Sequence, residues 1–101
     1  MSDESLGAFE EQVLLGVART APESYGMAVR REIEAVTDRE VAVGAVYATL
    51  DRLEAKGWLR SSRADGRRTF AVTRDGARTL AATRLARERL WRGVNLAALG
   101  A

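Results

Sequence analysis

The sequence predicts a mainly α-helical chain carrying one small β-hairpin. Three observations predict it. Apolar residues recur on one helical face in four separate stretches. A single Asp65-Gly66 pair stands between two short β-leaning runs, which is a strong hairpin signal. Residues that start and stop helices sit at the joints between these stretches.

The first helix is expected over Leu6 to Thr20, where Leu6, Phe9, Val13, Val17 and Thr20 recur at steps of three and four and Leu14 widens the stripe. Gly16 costs about 1 kcal/mol relative to Ala inside a helix, so it is expected to mark the close approach of another helix. Ala21-Pro22-Glu23-Ser24 is a break, and Ser24 is read as the N-cap of a second helix. That helix turns Tyr25, Val29, Ile33 and Val36 inward, leaves Arg30, Arg31, Glu32 and Glu34 in solvent, and ends near Thr37-Asp38. Arg39-Glu40-Val41 is short and β-leaning.

A third helix runs from about Val43 to Lys56, with Val46, Leu50 and Leu53 inward, Lys56 complementing the dipole and Gly57 at the C′ position. The hairpin follows, from Trp58 to Arg63 and from Arg67 to Thr73. Thr73 then caps a fourth helix, with Asp75 in its first turn, that continues to about Gly93 before a short apolar tail. The expected division is 1–74 as the body and 75–101 as the last helix and its tail, in one compact unit.

Composition narrows the function. There is no Cys and no His among the 101 residues, which removes thiolate chemistry and the commonest general base and metal ligand. With no phosphate-cradling glycine loop either, no enzymatic activity, cofactor or metal is expected. No apolar run approaches the ~18 residues of a membrane span, and the acidic start Met1-Ser2-Asp3-Glu4-Ser5 is unlike a secretory signal, so a cytoplasmic protein is expected. The formal net charge is only +2, but it is unevenly placed. Residues 1–54 hold 5 basic and 11 acidic side chains, whereas residues 55–101 hold 11 basic and 3 acidic ones. Fifteen of the cations are Arg, whose planar fork of donors suits phosphate and guanine edges.

Two helices joined by a short turn and followed by a basic hairpin form the winged helix-turn-helix plan. A groove-entering helix needs slim or polar residues near its N-terminus so that its backbone can approach the bases. Gly44, Ala45, Ala48 and Thr49 meet that need, Thr49 and Ala45 are placed to touch a thymine methyl, and Tyr47 reaches toward a phosphate. The hairpin tip carries Arg63, Arg67 and Arg68, suited to phosphate or minor-groove contact. An Ala-rich helix or a charged hairpin alone would be ordinary. Both together, in this order, point to binding of double-stranded DNA.

The stretches VLLGVARTAPESYGMAVRREIE, VGAVYATLDRLEAKGWL and GRRTFAVTRDGARTL resemble the PadR family of bacterial transcriptional regulators, in the short form with a single C-terminal helix. The resemblance runs from about Leu6 to Leu90 and rests on Tyr25-Gly26, Val46-Tyr47 with Leu50, Arg52-Leu53 and Gly57, then Arg67-Arg68, Thr73 and Gly76. It implies a homodimeric repressor on a palindromic operator, released by a small aromatic or xenobiotic effector. The DNA-contacting set it implies is Tyr25, Gly44, Ala45, Tyr47, Ala48, Thr49, Arg52, Arg63, Arg67 and Arg68. Family members often carry Ser where this chain has Ala42, and its loss removes an N-cap worth ~1 kcal/mol.

On the last helix Leu80, Leu90, Trp91 and Val94 form one apolar patch, and Ala77, Ala81 and Leu85 form another. One patch is left for a second copy, and Phe9, Val13 and Gly16 of the first helix are expected to join Leu80, Leu90, Trp91 and Val94 in that dimer interface. Trp91 is also the candidate to stack on a planar effector. The competing reading is an antirepressor-like interaction module without specific DNA binding, favoured by the acidic half: Glu10, Glu11, Glu32, Glu34, Asp38 and Glu40.

Overall fold

The computed structural model describes residues 6–101, so the acidic start at 1–5 lies outside the described residues. The elements are α1 (Ala8–Thr20), α2 (Gly26–Thr37), α3 (Val43–Ala55), β1 (Leu59–Ala64), β2 (Arg67–Val72) and α4 (Arg74–Trp91), followed by a 3-10 turn at Ala97–Leu99. The three-helix body closes around Val13, Leu14 and Val17 of α1, Val29 and Ile33 of α2, and Val46, Leu50 and Leu53 of α3. Trp58, Leu59 and Phe70 of the hairpin complete this core. These are largely the stripes expected from spacing. Gly16 lets α2 come close to α1: a Cβ there would sit 3.0 Å from Val29. Val36 departs from expectation, exposed at the outer edge of the α1–α2 groove.

Local chemistry at the joints explains the order of elements. At the end of α3 the Trp58 N–H donates to Leu53 C=O and the Gly57 N–H to Glu54 C=O, a Schellman closure that needs φ of +83° at Gly57. Asp65 and Gly66 both have positive φ, which makes the two-residue turn that matches strand twist. The register pairs Leu59 with Val72 and Ala64 with Arg67. Thr73 accepts from the Gly76 N–H at 3.0 Å, the cap expected of it.

Ser24 does not cap α2. Its hydroxyl donates to Val17 C=O, and Tyr25 occupies the cap position without a side-chain bond. The reason is a third backbone pairing: Tyr25 bridges Thr69 in antiparallel fashion, and the Phe70 N–H donates to Ser24 C=O at 2.9 Å. Arg39-Glu40-Val41 forms no strand; the Val41 N–H and C=O are held by Glu34 and Arg30 side chains.

One ion cluster locks α1 to α3. Glu10 is buried and receives Arg52 Nε at 3.1 Å, Lys56 Nζ at 3.0 Å and the Gly7 N–H at 2.9 Å. Burial alone would raise its pKa, but the Gly7 amide and the two cations outweigh that and hold the carboxyl at about 2.

These contacts set what substitution should do. A carboxylate depressed in the folded state stabilises the fold above its usual value of 4.5, and that stabilisation is lost as pH falls through 2. Glu10→Gln is therefore expected to lower stability at pH 7 by about 2 kcal/mol and to flatten its loss between pH 5 and 2, measured by urea unfolding at stepped pH. Gly76 packs against the Trp58 carbonyl, which is fixed by the Thr73 N–H at 3.1 Å, so a Cβ has nowhere to go. Gly76→Ala is expected to cost about 1–3 kcal/mol. Gly44→Ala, on an open helical position, should leave the thermal midpoint unchanged or slightly raised.

Candidate nucleic-acid interface

The outward side of α3 is slim. Gly44, Ala45, Tyr47 and Ala48 are exposed, while Val46, Thr49, Leu50 and Leu53 face the core. Ala42 caps the helix with no side-chain hydrogen bond. Tyr47 is 39% exposed and its ring lies on Gly26, where a Cβ would run into it. The Tyr25-Gly26 pair thus has a packing reason: α2 begins where the α3 tyrosine crosses it.

Two expected α3 contacts are corrected. Thr49 is 3% exposed, and its hydroxyl accepts from Arg52 Nη2 at 3.3 Å. Its methyl is not presented to any groove. Arg52 turns toward α1 and pairs with Glu10, so its guanidinium belongs to the α1–α3 lock. Both lie on the α1-facing flank because one α3 stripe must bury against the body. Steps of three and four place 46, 49, 50 and 53 together and leave 52 beside them.

Within the hairpin the three tip arginines separate by strand geometry, since neighbouring residues point to opposite faces. Arg63 and Arg68 are directly opposite and share a face. Like charges so placed repel, and Arg68 is relieved by donating to Asp51 Oδ1 at 3.1 Å and to Glu54, with its guanidinium over Phe70 at 4.7 Å. Glu54 is held below its usual range by the Ser61 hydroxyl and by Arg68, against some burial. Arg68 is thereby an internal tie from wing to α3 and not a free cation at the tip. Arg67 points the other way and stacks over the Tyr25 ring at 4.0 Å. The Tyr25 hydroxyl accepts from Arg31 Nη1 at 3.4 Å, which lowers its pKa. Among the described residues Arg60, Arg63 and Arg67 form no ion pair.

Most of the acidic half is paired. Glu10 holds Arg52 and Lys56, Glu11 holds Arg87 of α4, Glu32 holds Arg19 and Glu34 holds Arg30. The negative charge of α1 and α2 is therefore balanced there, whereas Arg60, Arg63 and Arg67 leave the hairpin with positive charge that no carboxylate meets among the described residues.

The expected dimer residues divide. Val13 and Gly16 are corrected, being sealed inside the α1–α2–α3 body. Phe9 and Leu80 are partly buried against that same core. Leu90 at 78%, Trp91 at 58% and Val94 remain exposed, joined by Leu85, Leu96 and Leu99. Leu15 of α1 was missed by the sequence reading; it is exposed and lines the α1–α4 groove with Leu80, Ala81 and Leu85. Its signal was a second apolar residue beside Leu14.

With this geometry in place, similarity to known proteins is informative. The model of the PadR-like family of transcriptional regulators matches residues 14–82. RosR of H. salinarum superposes with a TM-score of 0.78 at 25% identity, covering 93% of this chain and 84% of that one. A complex of RosR gives 0.78 at 27% identity, over 91% and 79% of the two chains. BpsR of Bordetella bronchiseptica, whose structure concerns regulation of its DNA binding by 6-hydroxynicotinic acid, gives 0.71 at 19% identity over 96% and 74%, a likeness of fold alone. No curated protein matches the sequence. No helix among the described residues is long and apolar enough to cross a membrane. The architecture is a winged helix, its relatives are regulators and not enzymes, and the chain belongs to the PadR-like family of transcriptional regulators.

Proposed function

We propose that the protein is a homodimeric repressor that binds a palindromic operator in duplex DNA and is released by a small aromatic or xenobiotic effector. The observation that carries this reading is the pairing of a slim, exposed α3 face with a wing whose Arg63 and Arg67 have no carboxylate partner among the described residues. Gly44, Ala45, Tyr47 and Ala48 would meet the major groove. Arg63 and Arg67 would meet the flanking backbone or minor groove, and Tyr25 would meet a phosphate beside Arg67.

Dimerisation is supported by the far half of α4. The helix stays against the body through Gly76, Thr79, Leu80 and Thr83 and as far as Arg87, which holds Glu11 of α1, and then leaves it, its last turn exposing Leu90 and Trp91. With 18 residues α4 is about 27 Å long, enough to set two bodies apart on half-sites about 34–36 Å apart. The same departure supports the division into 1–74 and 75–101. Trp91 lies with Leu90, Val94 and Leu96 around a hollow of about 220 Å³, below the ~300 Å³ of a typical ligand pocket. A second copy would complete it, and Trp91 would then stack on a planar effector. Such a regulator works where the chromosome is, in the cytoplasm. The antirepressor-like reading keeps only part of its support: Glu10, Glu11, Glu32 and Glu34 are paired with cations, whereas Asp38 and Glu40, exposed in the turn before α3, form no ion pair among the described residues.

The test is fluorescence anisotropy with labelled DNA from upstream of the gene, against scrambled DNA, over a series of salt concentrations. Nanomolar binding to the first and much weaker binding to the second is expected. Arg63→Ala and Arg67→Ala should each reduce the slope of log affinity against log salt by about one. Arg68→Ala should change that slope little, since its charge is already paired. Equal affinity for both DNAs at matched salt would sink the specific-repressor reading.

A further inference from the structure

Position 51 is where the recognition face carries its own chemistry. Gly44, Ala48, Asp51 and Ala55 recur at steps of four, three and four, and so form the outward stripe of α3. Three of the four have no hydrogen-bonding side chain. The flanking polar groups are committed elsewhere: Thr49 is buried, Arg52 holds Glu10, and Glu54 holds Arg68 and the Ser61 hydroxyl. The Asp51 side chain is 64% exposed, with Oδ1 accepting from Arg68 and Oδ2 without a partner among the described residues.

Resting on the reading of α3 as the groove-entering helix, we propose that Asp51 is a specificity-determining residue that reads a cytosine, and that Arg68 positions it. A carboxylate only accepts hydrogen bonds. In the major groove guanine offers two acceptors and thymine offers one, so both repel it. Adenine offers a donor with an acceptor beside it, and cytosine offers an amino donor with no neighbouring acceptor on the same base. Cytosine is the base an aspartate selects. A bare carboxylate among phosphates would oppose binding of any DNA. Arg68 offsets that charge from the wing side and restrains the rotamer, leaving Oδ2 free to accept. The wing thereby takes part in base selection without touching the base.

The test is selection of bound duplexes from a random library by the full-length protein, with the motif read by sequencing. Wild type should give a motif with a cytosine preference at one position of each half-site. Asp51→Asn should move that position toward adenine, because a carboxamide matches adenine with one donor and one acceptor. Asp51→Ala should lose the preference there and weaken binding to the cytosine site about tenfold, keeping the other positions. Arg68→Ala should blur the same position and no other. Asp51 is exposed and Arg68 half-buried, and circular dichroism melts would verify folding of all three variants. An Asp51→Asn motif identical to wild type overturns the proposal while leaving the repressor reading intact. A wild-type selection with no motif at all overturns both.

Discussion

The arrangement depends on how the hairpin is anchored at two places. A two-stranded ribbon alone is at best marginally stable in water. Here its middle is stitched to the start of α2 by the Phe70 N–H on Ser24 C=O. Its base is closed by the Trp58 carbonyl, which takes the Thr73 N–H and lies against Gly76. Thr73 adds a second link through its hydroxyl to Gly57 C=O at 2.6 Å. These bonds fix the wing relative to α3, and every later statement about which arginine faces which element rests on that fixed angle. The glycine at 76 belongs to this constraint: a larger residue would push α4 off the base of the wing.

Charge is then distributed by a simple rule. Acidic residues on α1 and α2 meet cations from the neighbouring helix, from α4, from the end of α3 or from their own helix. The wing, built from strands only, has acidic neighbours on one face alone. That face takes Arg68. Arg67, one residue earlier in β2, is thrown to the opposite face and finds an aromatic ring in place of a carboxylate. The low net charge of the chain conceals this local excess of positive charge at the wing tip.

Much of this was legible in the sequence, and the reasons are local. Asp65-Gly66, Gly57 and Thr73 were readable because each forces its own backbone or caps its own helix. The core stripes were readable because burial repeats with the helix period. Ser24 was misread because the signal of an N-cap is shared by any small hydroxyl residue at a break, whereas its place is set by the pairing of Tyr25 with Thr69, 44 residues on, and by the Phe70 N–H on its own carbonyl, which leave no periodicity. Thr49, Arg52 and Arg68 were read as DNA contacts by type and place. Whether such a side chain is free is decided by partners far along the chain, as Glu10 lies 42 residues before Arg52. Val13 and Gly16 failed as interface residues for the same reason: an apolar stripe shows that a face is buried, not against what.

The pattern of commitment on α3 has a consequence for how such a protein recognises its site. With Arg52 tied to Glu10, α3 brings no uncompensated positive charge of its own to a groove, only backbone, methyl groups, one tyrosine and one carboxylate. Phosphate attraction would have to come from the wing, and discrimination from shape and a single acceptor. Attraction and discrimination are then carried by different elements, coupled through Arg68. One such face is too sparse to hold a site tightly, since a tight complex needs several phosphate contacts acting together. Doubling the face through the exposed apolar end of α4 raises the effective concentration of the second contact without adding charge. Under the proposed dimer, the need for a partner copy would arise as much from the modest chemistry of α3 as from the bare Leu90 and Trp91 at the helix end.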